Sequence, residues 1–145
     1  MKLLHYILAP ASPMVVEIAL LIMRVSLGIL TTGHGIPKII GGPQTWSHLG
    51  TFVQPMGIYF LPMMWGLLGA CIEFFGGIAL TVGLGTRIAS LCLMDMMIVA
   101  YVWHLNRGDA YNVSSYPLTL VFIFFGFMLI GGGYYSLDAY LSQNS

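Results

Sequence analysis

Four stretches of this chain are each apolar enough, over about twenty residues, to cross a bilayer. They are "MVVEIALLIMRVSLGILTTGHG" (14–35), "FLPMMWGLLGACIEFFGGIALTVG" (60–83), "RIASLCLMDMMIVAYVWHLN" (87–106) and "YPLTLVFIFFGFMLIGGG" (116–133). Five Lys and Arg plus five Asp and Glu make up 7% of the 145 residues. A soluble domain normally carries about a quarter charged residues, so too little polar surface is present to cover a water-facing globule. The expected fold is all-α: an integral membrane four-helix bundle forming one domain over 1–145, multi-pass in the cell (inner) membrane.

Helix breakers punctuate the spans: Pro37, "GLGT" at 83–86 and "GGG" at 131–133. Met1 to Pro13 reads as a retained tail on the membrane surface, because Pro10 and Pro13 interrupt its short apolar run. The loop between the first two spans is the longest. Within "PQTWSHLGTFVQP" (43–55), Trp46, Leu49, Phe52 and Val53 recur at helical spacing, which predicts a short interfacial helix. Four spans put both termini on one side, side A, together with the turn at Arg87. Side B receives the long loop and "NRGDAYNVSS". Lys2 and Arg87 face Lys38 and Arg107 across that division, so the basic residues do not choose an orientation.

Three ionisable residues interrupt the spans. Arg24 lies about ten residues in from side A, Glu73 about ten residues before the side-A turn, and Asp95 about eight residues after Arg87. At 1.5 Å per residue these are depths of roughly 12–15 Å, so three helices deliver charge near one level. Charges there face the bundle interior and pair with one another. The expected cluster is Arg24 with Glu73, and Asp95 keeping its proton, because one cation cannot balance two carboxylates in a low dielectric. Two roles follow with equal standing: a proton-handling or ligand site, or an ion pair that fixes helix register. Gly69, Glu73 and Gly77 share a face with Gly66 and Ala70 beside it, which places Glu73 in a close helix–helix seam.

His34, Lys38 and His104 approach side B and are candidates for a ligand or lipid headgroup, whereas Glu17 reaches only the side-A interface. His48 is the sole further imidazole near side B, so no metal site is expected. Cys71 and Cys92 sit at different depths and form no C-x-x-C, which argues against disulfide chemistry. With zero net charge and no basic run, nucleic acid is not an expected partner. Ser136 or Asp138 can cap a short terminal helix in the tail 134–145.

Three patches carry a family resemblance. "RVSLGILTTGHGIPKIIGG" supplies Arg24, Gly28, His34, Gly35 and Lys38. "EFFGGIALTVGLGTRIAS" supplies Glu73, Gly76, Gly77, Gly83, Leu84, Thr86 and Arg87. "GGGYYSLD" supplies Gly131, Gly133, Tyr135, Ser136, Leu137 and Asp138. Together they resemble the DoxX family of small four-helix bacterial and archaeal membrane proteins. Gly132 stands where the family usually has proline, Tyr134 where it has arginine, and the frequent glutamate before the fourth span is missing near "SSYPLTL". The resemblance implies an accessory or small subunit of a membrane oxidoreductase or respiratory complex, with Arg24, Glu73 and Arg87 as the residues to carry over.

Three functions are compatible with these residues. The first is a subunit of a membrane oxidoreductase that binds quinone near Arg24, Glu73 and His34. The chain has no haem-ligation pattern, flavin fingerprint or redox cysteine pair, so the electron carrier is a quinone or belongs to a partner. The second is a non-enzymatic protein that packs against other membrane subunits, lipid or copies of itself. The third is a small transporter or ligand-binding bundle coupled to protons at the midplane carboxylates.

Overall fold

A computed structural model describes residues 9–144. Four long helices are apolar enough to cross a membrane: α1 (Pro13–Ile40), α3 (Pro62–Val82), α4 (Thr86–Arg107) and α5 (Tyr111–Ile130). Between α1 and α3 lie the short helix α2 (Gly42–Leu49) and a 3-10 helix (Gly50–Met56), and α6 (Leu137–Gln143) follows α5. The chain is a multi-pass membrane protein whose described residues form helices and no strand, with a short helix in the first long loop, as its hydropathy predicts. The expected surface tail falls largely on residues 1–8, outside the described residues.

Boundaries depart from expectation where proline was read as a stop. Pro37 lies inside α1, which runs on to Ile40. Proline at that position removes one amide donor, but the helix resumes its bonding when Gly41 N donates to Pro37 O at 3.0 Å. Similarly, α5 starts at Tyr111, five residues before the apolar run, with Pro117 accommodated inside it. The polar "YNVSS" is thus the first turn and a half of a helix, and only Gly108–Ala110 reverses the chain.

Helix α1 packs antiparallel to α3 along a seam of small residues. A Cβ on Gly28 would stand 2.6 Å from Thr81 N and 2.7 Å from Gly77 O, and one on Gly35 would stand 2.7 Å from Phe74 Cα. Backbones approach this closely only where side chains are absent, as in membrane helix pairs generally. Helix α2 uses the same device on α3, where a Cβ on Gly66 would collide with Trp46 O. The shared core is formed by Leu80, Leu93, Met97, Phe124 and Phe127, with Leu20 and Leu27 of α1 packed against it. Outward-facing residues such as Ile22, Phe75, Ile88 and Phe122 are apolar and exposed, the inverse of a soluble bundle.

Candidate functional site

The seam sets the depth of every charge. Aligning the apolar segments end to end would put Gly28 opposite about residue 69; it lies instead against Gly77 and Thr81. The two helices are therefore displaced by about ten residues, roughly 15 Å along the axis. This displacement carries Arg24 to the C-terminal end of α3 and brings Lys38 alongside Glu73.

Arg24 is 1% exposed and, among the described residues, forms no ion pair with a carboxylate. Its Nη1 donates to Leu80 O at 2.8 Å and Thr81 O at 2.6 Å, and its Nη2 donates to Tyr135 O at 2.8 Å. Leu80 and Thr81 belong to the last turn of α3, whose carbonyls have no partner within the helix and carry its negative dipole end. A buried guanidinium is suited to that position. Gly83 allows it: the residue turns at φ 76, and a Cβ there would lie 2.6 Å from Arg24 Nη1.

The closing motif completes the same end of the bundle. Asp138 Oδ1 accepts from Gly85 N at 2.7 Å, and its Oδ2 accepts from Thr86 N at 2.8 Å. Asp138 thus caps the start of α4 from a distant segment, while its own amide donates to Gly83 O at 2.9 Å. Ser136 caps α6 by accepting from Ala139 N at 3.2 Å. Glu17 Oε2 accepts from Tyr134 N at 2.6 Å, so this residue ties α1 to the tail rather than ending at the interface. Arg87 is exposed beside Gly131. Burial alone would push the Asp138 carboxyl upward, but the amides of Thr86 and Gly85 and the charge of Arg24 outweigh it and hold the group below the usual carboxylate range.

The expected pairing of Arg24 with Glu73 is therefore corrected: the cation beside Glu73 is Lys38, which forms an ion pair with Glu73 Oε2. Glu73 is buried and Lys38 about a third exposed. Asp95, expected to be buried, is exposed, and no hydrogen bond or ion pair among the described residues reaches it. Glu73 and Asp95 nevertheless share one space. With Lys38 they line a cavity of about 410 Å³ whose remaining wall is mostly apolar, including Phe52, Val53, Trp65 and Val99.

The cavity follows from packing. On the side-A half of the bundle α3 and α4 meet closely, with Leu93 against Gly76 and Leu80 fully buried. On the side-B half the 3-10 helix contributes Phe52, Val53 and Met56 to the wall. Phe52 stacks on Trp103 of α4 with ring centroids 4.1 Å apart, and the Arg107 guanidinium lies 4.5 Å from the Trp103 ring. Of these rings Phe52 lines the cavity, and Trp103 packs on it. An apolar volume of this size with a few polar groups has the character of a small-molecule site.

His34 is exposed on α1, His104 Nδ1 lies 2.7 Å from Asp109 Oδ2 at the end of α4, and no hydrogen bond or ring contact among the described residues joins the two histidines. Among the described residues, no group of three or more His, Cys, Asp and Glu is arranged to hold a metal ion. Sequence spacing alone did not reveal Lys38 as the partner of Glu73, or the aromatic wall of Phe52 and Trp65. The signal was present in the stripe Gly28, Thr31, Gly35 and Lys38, whose three-to-four-residue spacing marks one face of α1.

The Bacillus subtilis (strain 168) protein named "Putative oxidoreductase CatD" is 26% identical over 125 residues, covering 86% of this chain and 88% of its own length. No solved structure matches. The sequence profile of the DoxX family matches residues 19–106, a segment that contains Arg24, Lys38, Glu73 and Asp95. This chain belongs to the DoxX family.

Proposed function

We propose that this protein is a small subunit or accessory protein of a membrane oxidoreductase in the cell's inner membrane, and that its cavity holds a lipid-soluble ligand of the quinone class. The observation that carries this reading is the Lys38–Glu73 ion pair in the wall of an otherwise apolar cavity of about 410 Å³. An ammonium in such a wall is a hydrogen-bond donor for a carbonyl oxygen, while the apolar and aromatic lining suits a ring and the start of a hydrocarbon tail. The residues present fit a quinone headgroup: Lys38 would hold an oxygen, Phe52 and Trp65 would flank the ring, and Glu73 would keep Lys38 charged and oriented. A bound quinone would supply two-electron chemistry, with the other redox centre in a partner. The name carried by the Bacillus subtilis relative supports the oxidoreductase assignment.

Mass spectrometry of the protein purified from its native membrane in mild detergent tests the proposal. A stoichiometric oxidoreductase partner together with co-purified quinone is expected. Recovery of the chain alone or only with copies of itself, and without quinone, would overturn it.

A further inference from the structure

Asp95 is a cavity carboxylate that no hydrogen bond or ion pair among the described residues answers. It is the tenth residue of the 22-residue helix α4, roughly 15 Å from the helix start and so near mid-membrane. Lys38, the one cation among the described residues of the wall, is engaged by Glu73, and Arg24 is committed to the carbonyls of Leu80, Thr81 and Tyr135. A carboxylate left in this position is unfavourable unless a proton or a donor reaches it. Its direction is defined by its neighbours: Cys92, Asp95, Met96 and Val99 recur at helical spacing and line the same cavity. Asp95 therefore lines the cavity from its exposed edge, between the wall residues Cys92 and Val99 and the outward-facing Leu91 and Ile98. Leu68, itself exposed, belongs to the same wall, so the space is open toward the bilayer on that flank.

We infer that the cavity selects lipophilic molecules with a phenolic head, Asp95 accepting the hydroxyl proton's hydrogen bond and Lys38 donating to oxygen on the same head. This rests on the cavity being the binding site and adds the ligand's polar chemistry. Lys38, Glu73 and Asp95 sum to one negative charge when both carboxylates are ionised. Carboxylate-headed lipids are therefore rejected, because a third negative group would enter a low-dielectric space. A head with acceptors alone, as in an oxidised quinone, satisfies Lys38 but leaves Asp95 unanswered. An ammonium answers Asp95 but meets Lys38 with like charge, and the phenolic quinol form of the same ligand class serves both. A phenol is at once donor and acceptor, and its ring suits Phe52 and Trp65.

The test uses the full chain in nanodiscs of zwitterionic lipid, with para-dodecylphenol, dodecylamine and dodecanoic acid as probes of equal tail length. Binding is read by the ligand-dependent rise in Tm and by tryptophan fluorescence titration. Expected results are binding of para-dodecylphenol, no binding of dodecanoic acid, and roughly tenfold or greater loss of phenol affinity in Asp95→Asn and Asp95→Leu. Because no side chain among the described residues pairs with Asp95, both variants are expected to fold. Phenol binding unchanged in both variants, or preferred binding of dodecylamine or dodecanoic acid, would overturn the inference. Gly69→Leu separates the two levels of the argument, since open space adjoins Gly69 in the cavity wall. If it abolishes binding that Asp95→Leu leaves intact, the cavity stands and the phenolic selectivity fails. If Gly69→Leu leaves binding intact as well, the ligand is not in this cavity and both readings fall.

Discussion

Arg24 donates to the carbonyl of Thr81 at 2.6 Å and to that of Leu80 at 2.8 Å, joining the interior of the first span to the end of the second. An arginine inside an apolar helix is thus satisfied by helix-end carbonyls and by a distant countercharge, Asp138. Replacing it with methionine keeps the volume but strips donors from three carbonyls in apolar surroundings. Arg24→Met is expected to lose about 2–4 kcal/mol. Arg24→Lys recovers only part of this, because an ammonium lacks the planar fork that reaches α3 and Tyr135 together. Reversible unfolding in mixed micelles measures both. Wild-type stability in Arg24→Met would remove the helix-end role.

Asp138 links that clasp to pH. Its carboxyl is held below the usual range in the folded chain by the Thr86 and Gly85 amides and by Arg24, which together outweigh its burial. A folded value below the unfolded one means the stabilisation is fully present above the unfolded pKa of about 3.9 and is lost as pH falls through the folded value. Asp138→Asn should therefore be less stable than wild type by about 1–2 kcal/mol between pH 5 and 7, roughly the worth of the cap. The gap should close below about pH 4. Hydrogen exchange at the amides of Gly85 and Thr86 follows it locally, and a gap that widens on acidification would contradict the sign.

The four spans were legible because lipid enforces a simple rule: about twenty apolar residues with every backbone group bonded internally. The short helix at Trp46 to Phe52 was legible from its periodicity, although it closes as a 3-10 turn. The meeting of charges was not, because depth counted from segment ends assumes that helices begin level. Helix α1 has 28 residues and α3 has 21, and their register is decided by where glycines permit contact. The information lay in Gly28, Gly35 and Gly77, which Arg24 and Glu73 merely accompany. Asp95 shows the same limit: hydropathy says it is costly, but only packing says that it faces a cavity.

If register is glycine-controlled, two glycines on neighbouring faces should respond oppositely to the same change. A methyl on Gly28 meets the α3 backbone, 2.6 Å from Thr81 N, and cannot be relieved by a rotamer change. A methyl on Gly69 meets nothing within 4 Å. Gly28→Ala is expected to destabilise by about 2 kcal/mol or more through separation of α1 from α3. Gly69→Ala should be neutral or stabilising by up to about 1 kcal/mol, from helix propensity. Equal effects in unfolding experiments would mean that the seam is looser than the structure shows.

The ion pair in the cavity wall can be separated from the fold by a double-mutant cycle. Lys38→Met leaves Glu73, 4% exposed, as a buried carboxylate without a cation, and this should cost about 3–5 kcal/mol unless the group takes up a proton. Glu73→Gln leaves Lys38 unpaired, but its ammonium is partly exposed and can turn toward side B, so the loss should be smaller. Combining Lys38→Met with Glu73→Leu removes both charges and the need to balance them, so the double variant should be more stable than Lys38→Met alone. Buried pairs are commonly matched in stability by apolar replacements. A pair kept for binding then leaves a clear signature: the double variant folds at near wild-type stability but no longer retains ligand. A double variant that folds and binds as wild type would show that the pair serves neither purpose.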